Sequence, residues 1–234
     1  AIYYWQAILN LDPTQTQPER LIKDAREKIS DKAEPVYEEV KKHYENGEYI
    51  RAQERILILL DIDAANQDYR KLYTRLQEVA EIFASLDKKD KVSMLIKNGV
   101  TNYLNKPEDI RKAYNYSRYA SELEPSNQKV KRFLRLLEEN HRSITEKEKP
   151  IKGMNFVDQS LFLALNHIYA GRYDLAISAA EDVLMVEPEN ILALKRMGSA
   201  YYALGNKIKA REIWERALAI DPKDTEIKKF LNNK

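Results

Sequence analysis

The chain has 234 residues, of which 44% are apolar and 32% charged; this composition excludes intrinsic disorder and allows a substantial core. Its 39 lysines and arginines and 37 aspartates and glutamates alternate along the sequence, which argues against a nucleic-acid partner. Without cysteine there are no disulfides and no thiolate metal sites, while the cytoplasm and the bacterial periplasm or envelope are both compatible compartments. No apolar run approaches about 18 residues, so no membrane insertion is expected.

The spacing of apolar residues predicts an all-α fold. Glycine and proline are scarce, and Ala, Leu, Glu, Lys and Arg recur with helical periodicity. The first predicted helix, AIYYWQAILNLDP at 1–13, matches AREIWERALAIDP at 210–222, with Trp5 aligned on Trp214. Because 210–222 is the second helix of a repeat described below, we expect the sequence to begin inside a half repeat.

Two repeat-like stretches follow in the N-terminal part of the chain. Residues 33–66 carry the turn GEYIRA, whose glycine, Gly47, is suited to end a helix in a left-handed conformation. Residues 92–127 have a longer turn, NKPEDIRKA, without the glycine, and Pro125 is expected to stop the second helix. Both stretches are predicted to form pairs of antiparallel helices.

Four further helices are predicted outside the matched repeats. Each has apolar residues at three- and four-residue spacing and a side rich in Lys and Glu. They are either caps of short repeat blocks or degenerate repeats whose small residues have changed, and the sequence leaves both interpretations open. These helices are PERLIKDAREKI at 18–29, DYRKLYTRLQEVAEIFASL at 68–86, KVKRFLRLLEENHR at 129–142 and TEIKKFLNNK at 225–234.

A linker is predicted at residues 143–156, SITEKEKPIKGMNF. This stretch has no periodic apolar stripe and contains Pro150 and Gly153. It would separate an N-terminal block, 1–142, from a C-terminal block, 157–234. Whether the two blocks form one continuous stack is left open by the sequence.

The C-terminal block contains the clearest internal repeat. Residues 157–190 and 191–224 align without a gap at an offset of 34, a period typical of helical solenoids. Small residues allow the two helices of a unit to approach closely, glycines end the first helix, and prolines stop the second. The aligned pairs are Ala164/Gly198, Gly171/Gly205, Ala176/Ala210 and Pro188/Pro222.

This pattern resembles the tetratricopeptide repeat family, a helix–turn–helix unit whose Gly-x-Tyr-x-x-Ala turn is present here as GRYDLA at 171–176. The resemblance extends to 33–66 and, less closely, to 92–127 and 1–13. It implies a right-handed superhelical solenoid of antiparallel helix pairs with a concave inner wall. It also implies a non-catalytic scaffold that binds other proteins, and long proteins of this kind resemble bacterial scaffolds for envelope, secretion and motility assemblies.

The outward stripe of the first helices is the predicted partner-binding site. Such a stripe of apolar and aromatic residues, if exposed, would bind an apolar or amphipathic segment of a partner protein. If the helices at 68–86 and 129–142 cover it, the stripe is core instead. Counted from the glycine turns, its members are Tyr37, Lys41, Tyr44, Ile96, Val100, Tyr103, Leu161, Leu165, Ile168, Lys195, Ser199 and Tyr202.

No catalytic, cofactor or metal site is predicted. His43, His141 and His167 lie far apart and have no neighbouring ligand residues, so we expect them to be structural. The acidic run DIDAANQD at 61–68 lacks the central glycine and closing glutamate of a calcium loop and predicts a helix end followed by a new N-cap. There is no glycine-rich phosphate loop and no nucleophile elbow, so the chain is not expected to be an enzyme.

A structural role in a homo-oligomer is the alternative function. Repeats of two copies would then dock end to end. Tyr4 and Trp5 favour this alternative because the half repeat lacks the helix on which they would pack, which makes self-association through this end an expectation.

Overall fold

A computed structural model describes residues 1–86, 89–148 and 150–232. The regular elements in these ranges are all helices, without any strand. The chain divides into two compact units, 1–109 and 110–234, and within each unit most helices pack on the next helix in sequence. This consecutive packing confirms the predicted all-α solenoid class. No helix in the described ranges is both long and apolar enough to span a bilayer.

The first unit places its helices around α2. α1 packs on α2, α2 on α3 and α3 on α4, while α5 contacts both α2 and α4. The helix α4, which the sequence placed outside the matched repeats, therefore lies against α5. The helices of this unit are α1 (Ile2–Leu11), α2 (Thr16–Glu45), α3 (Tyr49–Ile62), α4 (Gln67–Ile82) and α5 (Lys91–Leu104).

The long helix α2 joins two segments that the sequence analysis treated separately, the helix at 18–29 and the first helix of the unit 33–66. Pro35 lies inside α2 and removes one main-chain hydrogen bond. Ile22 on one side of this proline and Val40 on the other are both buried. Because packing holds the helix on both sides of the proline, it continues through a residue that usually interrupts helices.

The turn between α2 and α3 requires glycine at its centre. The main-chain N–H of Glu48 donates to the carbonyl oxygen of His43 (2.9 Å), and the N–H of Gly47 donates to that of Tyr44 (3.0 Å). Gly47 has a φ of 82°, and a Cβ there would lie only 2.7 Å from the carbonyl oxygen of Leu86. Nδ1 of His43 is 2.6 Å from Oε2 of Glu48, so this histidine stabilises the same turn.

The acidic run after α3 forms a helix end and a new helix start, as the sequence predicts. Asp63 is the C-terminal cap of α3. The side-chain oxygen of Asn66 accepts hydrogen bonds from the main-chain N–H groups of Asp68 and Tyr69, which caps α4. The polar residues of this run thus satisfy main-chain groups.

The second unit continues helix by helix to the end of the described chain. α6 packs on α7, and from α9 to α13 every helix packs on the next one; α6 also contacts α9 and α10. The elements are α6 (Ile110–Leu123), α7 (Gln128–Asn140), α8 (Arg142–Thr145), a 3-10 turn (Glu146–Glu148), α9 (Phe156–Tyr169), α10 (Tyr173–Val186), α11 (Ile191–Ala203), α12 (Lys207–Ile220) and α13 (Thr225–Asn232).

The hairpins α9–α10 and α11–α12 follow the predicted repeats 157–190 and 191–224. Each first helix ends with the pair of main-chain hydrogen bonds seen at Gly47, now around Gly171 and Gly205. At the small-residue position of the second hairpin, a Cβ on Gly198 would lie 2.3 Å from Nε1 of Trp214. The repeat pattern therefore identified a true point of close helix contact.

The predicted domain boundaries do not coincide with the boundary between the two compact units, which lies between residues 109 and 110. Residues 143–156, the predicted linker, lie inside the second unit and include α8 and the 3-10 turn. The predicted repeat at 92–127 is divided, because α5 belongs to the first unit and α6 to the second. Lys149 of the linker, and the last two residues of the helix predicted at 225–234, lie outside the described residues.

The stretch 143–156 belongs to the second unit because polar side chains tie it to α6 and α9. Nε of Arg111 lies 2.8 Å from Oε1 of Glu148, and Nη1 of Arg118 donates to the main-chain oxygen of Glu148 (3.2 Å). The main-chain N–H of Ile151 donates to the side-chain oxygen of Gln159 (2.9 Å). A sequence without an apolar stripe is thus held in place by hydrogen bonds and ion pairs.

Candidate partner-binding surface

The first unit buries most of the predicted stripe. Tyr44, Ile96, Val100 and Tyr103 are all core residues, and only Tyr37 and Lys41 remain partly exposed. This differs from the expected open wall and matches the alternative that an extra helix covers the stripe. The four buried side chains stabilise the unit instead of forming its surface.

Helix α4 supplies that cover for α5. The hydroxyl of Tyr103 donates to Oε2 of Glu78 (2.7 Å), and the guanidinium of Arg75 lies 5.1 Å from the centre of the Tyr103 ring. Both partners belong to α4. The predicted helix at 68–86 therefore contributes to the core of the first unit and contacts part of the predicted stripe.

A polar cleft of about 340 Å³ remains beside Tyr37. The ring of Tyr37 stacks on the ring of Tyr69, with the two centroids 6.3 Å apart. Two ion pairs line the cleft: Lys106 lies 2.6 Å from Asp68, and Arg75 lies 2.8 Å from Glu108. The hydrogen bond from Arg75 lowers the pKa of Glu108 to about 2, so this carboxylate stays ionised at neutral pH.

The second unit brings the other half of the predicted stripe together on two adjacent helices. Leu161, Leu165 and Ile168 lie on α9, which contacts α11, the helix of the other three residues. The residues of this half are at least partly exposed, unlike the buried ones of the first unit. Those on α11 are Lys195, Ser199 and Tyr202.

Residues 167–233 match the model of the tetratricopeptide repeat family. The matched segment contains α11, α12 and α13 and the turn at Gly171, whose geometry repeats at Gly205. This segment is therefore similar to tetratricopeptide repeats. A search of curated proteins finds no match. Tetratricopeptide repeats are generally non-catalytic modules for protein–protein interaction.

Both helices also carry exposed apolar residues that the sequence analysis missed. Phe162 and Tyr169 are 42% and 80% exposed on α9, and Leu192 is 43% exposed on α11. They share a helix face with the predicted residues because they lie three, four or seven positions away from them. The predicted stripe included three residues on each of these helices, whereas the exposed apolar face of each helix is wider and includes their neighbours. We call the combined surface the α9–α11 wall: Leu161, Phe162, Leu165, Ile168, Tyr169, Leu192, Lys195, Arg196, Ser199 and Tyr202.

Two basic residues of this wall differ in their surroundings. Nζ of Lys195 is 3.1 Å from Oδ2 of Asp224 and also pairs with Glu226, both at the start of α13. Burial acts to lower the pKa of Lys195, but its hydrogen bonds to these carboxylates raise it overall. Arg196 instead donates to the main-chain oxygen of Leu161 on α9.

Aromatic packing fixes one end of the wall. The ring of Tyr202 packs against Trp214 with centroids 5.7 Å apart, and Trp214 stacks in turn on Phe230 at 5.0 Å. The hydroxyl of Ser199 donates to the main-chain oxygen of Lys195 (2.9 Å), so this polar group is already satisfied within α11. The arrangement is therefore a largely apolar surface held by a rigid repeat core.

In the ranges that the structure describes, no three His, Asp or Glu residues lie close enough together to hold a metal ion. His167 has a buried Nδ1 without a hydrogen-bond partner among these residues, and burial lowers its pKa. A neutral, packed imidazole agrees with the expected structural role.

Proposed function

We propose that this chain is a non-catalytic adaptor whose α9–α11 wall binds an apolar or amphipathic segment of a partner protein. The observation that supports this most directly is the exposure of Phe162, Tyr169 and Leu192 on neighbouring helices. Exposed apolar side chains grouped in this way mark interaction sites more often than isolated ones do. By family-level analogy, the complex would belong to a larger assembly, such as one in bacterial envelope, secretion or motility systems.

The proposed site is confined to the second unit. Ile96, Val100 and Tyr103 on α5, and Tyr44 on α2, lie outside it because they are buried in the core of the first unit. On the wall itself, Leu161, Leu165 and the exposed aromatic rings offer apolar contact along two turns of α9. A segment with one apolar side, bound as a helix or an extended strand, fits such a surface.

The test compares two exposed apolar positions on the wall with one away from it. The double variant Phe162→Asp, Tyr169→Asp places charges on the wall without entering the core. The matched control is Ile208→Asp, which changes another exposed apolar residue, on α12. In a cross-linked pull-down from the native lysate, we expect the double variant to lose a partner that the wild type and the control retain.

Circular dichroism of all three proteins checks that helicity is unchanged. A partner that remains bound to the folded double variant at wild-type yield would contradict binding at the wall. It would direct attention to the outer helices or to the ends of the stack.

A structural subunit of a homo-oligomer is the second candidate, and helix α1 favours it. α1 has no buried residue, and Leu11 is 88% exposed beside exposed Tyr3 and Tyr4. Such a face could pack against a second copy. Light scattering over a range of concentrations should then show a rising mass, and Leu11→Lys should restore the monomer. A wild-type mass that stays at one chain at every concentration would contradict this candidate.

A further inference from the structure

The cleft beside Tyr37 is formed by three parts of the first unit. Its lining comes from α2, α4 and the segment that follows α5, and the buried side chains of Leu72 and Leu104 form its apolar part. The hydroxyl of Tyr44, a core residue, donates to the side-chain oxygen of Asn105 (3.0 Å), which fixes the segment after α5. A volume of about 340 Å³ suits a small organic molecule or a single long side chain.

One side of this cleft is aromatic. The rings of Tyr37 and Tyr69 stack with an interplanar angle of 30°, and both side chains are partly exposed. The face of a tyrosine ring carries a negative electrostatic potential, so it attracts ammonium and guanidinium groups. Neutral apolar groups also pack on such rings, and the charges around them therefore decide which ligand fits.

The basic side chains of the cleft lie beside acidic ones. Lys106 pairs with Asp68, and Arg75 pairs with Glu108. The hydrogen bond from Lys106 lowers the pKa of Asp68, and the hydrogen bond from Arg75 lowers the pKa of Glu108. The charge of the third basic residue, Lys71, adds to both effects. The positive charges of the cleft are therefore engaged with acids of the same unit.

Glu34 has a different environment, at the aromatic side. It lies one turn before Tyr37 on α2, so its carboxylate and this ring are neighbours on the helix surface. Among the residues that the structure describes, no basic nitrogen lies within 4.0 Å of this carboxylate. Burial raises the pKa of Tyr69 most, and the negative charges of Asp63 and Glu34 raise it further. The aromatic side therefore has a negative charge that no described basic residue pairs with.

We propose that this cleft binds an organic cation, an alkylammonium or guanidinium group, between the carboxylate of Glu34 and the rings of Tyr37 and Tyr69. The rings would contact the cation at their faces, and Leu72 and Leu104 would pack on the methylene groups that carry it. The site belongs to the first unit and does not depend on the proposed function of the α9–α11 wall. Free amines and the lysine or arginine side chains of other proteins both carry such a group, and the experiment separates these two sources.

The experiment follows ligand binding at the two tyrosines by nuclear magnetic resonance on the full 234-residue chain. The tyrosine rings are labelled with carbon-13, and Tyr37→Phe and Tyr69→Phe assign the two ring signals. The probes are n-butylammonium, n-butylguanidinium and the neutral n-butanol. We expect saturable shifts of both ring signals with the two cations, and an affinity for n-butanol that is lower by about fivefold or more.

The contact with Glu34 is tested by a variant that removes its charge and keeps its shape. Glu34→Gln should weaken both cations by roughly threefold and should leave the binding of n-butanol unchanged. Glu19→Gln is the matched control, because it changes another exposed glutamate of α2 that lies outside the cleft. It should bind the cations as the wild type does. Circular dichroism checks that both variants are folded.

Two further probes separate the sources of the cation. N-acetyl-lysine N-methylamide carries the ammonium group on a side chain between two peptide groups, whereas spermidine is a free polyamine. If the lysine derivative binds at least as tightly as n-butylammonium, the ligand is a side chain of another protein. If spermidine binds and the lysine derivative does not, the ligand is a free amine.

Three results would overturn the inference. Equal affinities for n-butylammonium and n-butanol would mean that the cleft selects only for apolar contact. A cation affinity that Glu34→Gln leaves unchanged, or that Glu19→Gln lowers as strongly, would exclude a specific contact with Glu34. The absence of any saturable shift at Tyr37 and Tyr69 would show that the cleft is not a binding site. None of these results bears on the α9–α11 wall, whose test is the loss of a partner protein.

Discussion

The same predicted stripe has opposite environments in the two units of the molecule. In the first unit, Val100 and Tyr103 on α5 are buried beneath α4. In the second unit, Leu165 on α9 and Tyr202 on α11 are still partly exposed. Repeat register thus tells which residues share a helix face, whereas the course of the remaining chain decides whether that face is covered.

This difference bears on how binding sites are read from repeat sequences. An additional helix between two matched repeats can pack against the face that the repeat pattern predicts to be exposed, and that face then becomes part of the core. Tyr103 illustrates this, because its hydroxyl already has Glu78 and its ring already has Arg75. A residue at the expected repeat position and of the expected chemistry is therefore a candidate for binding only if no other helix of the chain covers it.

The largest expected difference between the two units is the loss of stability caused by a charged residue in the stripe. Val100→Asp puts a carboxylate into the core of the first unit, and we expect it to lower the free energy of unfolding by about 4 kcal/mol or more. Leu165→Asp, on the partly exposed face of α9, should cost about 1 kcal/mol or less. Denaturant unfolding followed by circular dichroism measures both. Equal losses of stability in the two variants would contradict the burial of Val100.

A second test compares two tryptophans that occupy the same position of the repeat. Trp214 on α12 is buried between Tyr202 and Phe230, whereas Trp5 on α1 is partly exposed. We expect Trp214→Ala to cost about 3–5 kcal/mol and Trp5→Ala less than about 1 kcal/mol.

Fluorescence provides an independent readout for these variants, because each one leaves a single tryptophan. The emission of Trp214 alone should lie at shorter wavelength than that of Trp5 alone. Similar costs and similar emission maxima would show that the repeat position alone determines the environment.

The smallest expected effect concerns the paired charges of the first unit. The hydrogen bond from Arg75 lowers the folded-state pKa of Glu108 to about 2, whereas a free glutamate has a pKa of about 4.3. The ion pair therefore contributes fully above about pH 4.3, and its contribution is lost as the pH falls through about 2. Because 43% of the Glu108 side chain is exposed, solvent screens the pair and we expect less than about 1 kcal/mol.

The measurement is the difference in unfolding free energy between the wild type and Glu108→Gln as a function of pH. It should be present at neutral pH and should shrink progressively between about pH 4 and pH 2. Glu212→Gln, which changes an exposed carboxylate on α12, serves as control. A difference that grows toward low pH would have the wrong sign and would contradict the pairing.

The sequence predicted the parts of the fold that depend on local chemistry. Gly171 and Gly205 end helices, and Gly198 admits Trp214, because these features require particular residue types at particular positions. The course of α2 through Pro35 could not be predicted in the same way, since it depends on packing against several other helices. The hydrogen-bonded stretch at 143–156 lacked an apolar stripe for a similar reason, because its contacts are polar and distant in sequence.

The candidate site was predicted in part. Leu161, Leu165 and Tyr202 follow from the repeat register, but the covered residues of α5 do not reveal their burial in sequence. Phe162 and Tyr169 were missed because their exposure depends on which other helices pack against α9. That packing is a property of the fold and is not visible in the sequence of α9 alone.

Residues at the start of α13 neutralise the charge of Lys195, although α13 itself is not part of the α9–α11 wall. Asp224 also caps α13, since its side chain accepts from the main-chain N–H groups of Glu226 and Ile227. A neutral residue at Glu226 would leave that cap in place and release part of the positive charge of Lys195 onto the wall. Ligand preference in this chain could therefore change through its terminal helix, while every residue that touches the ligand stays the same.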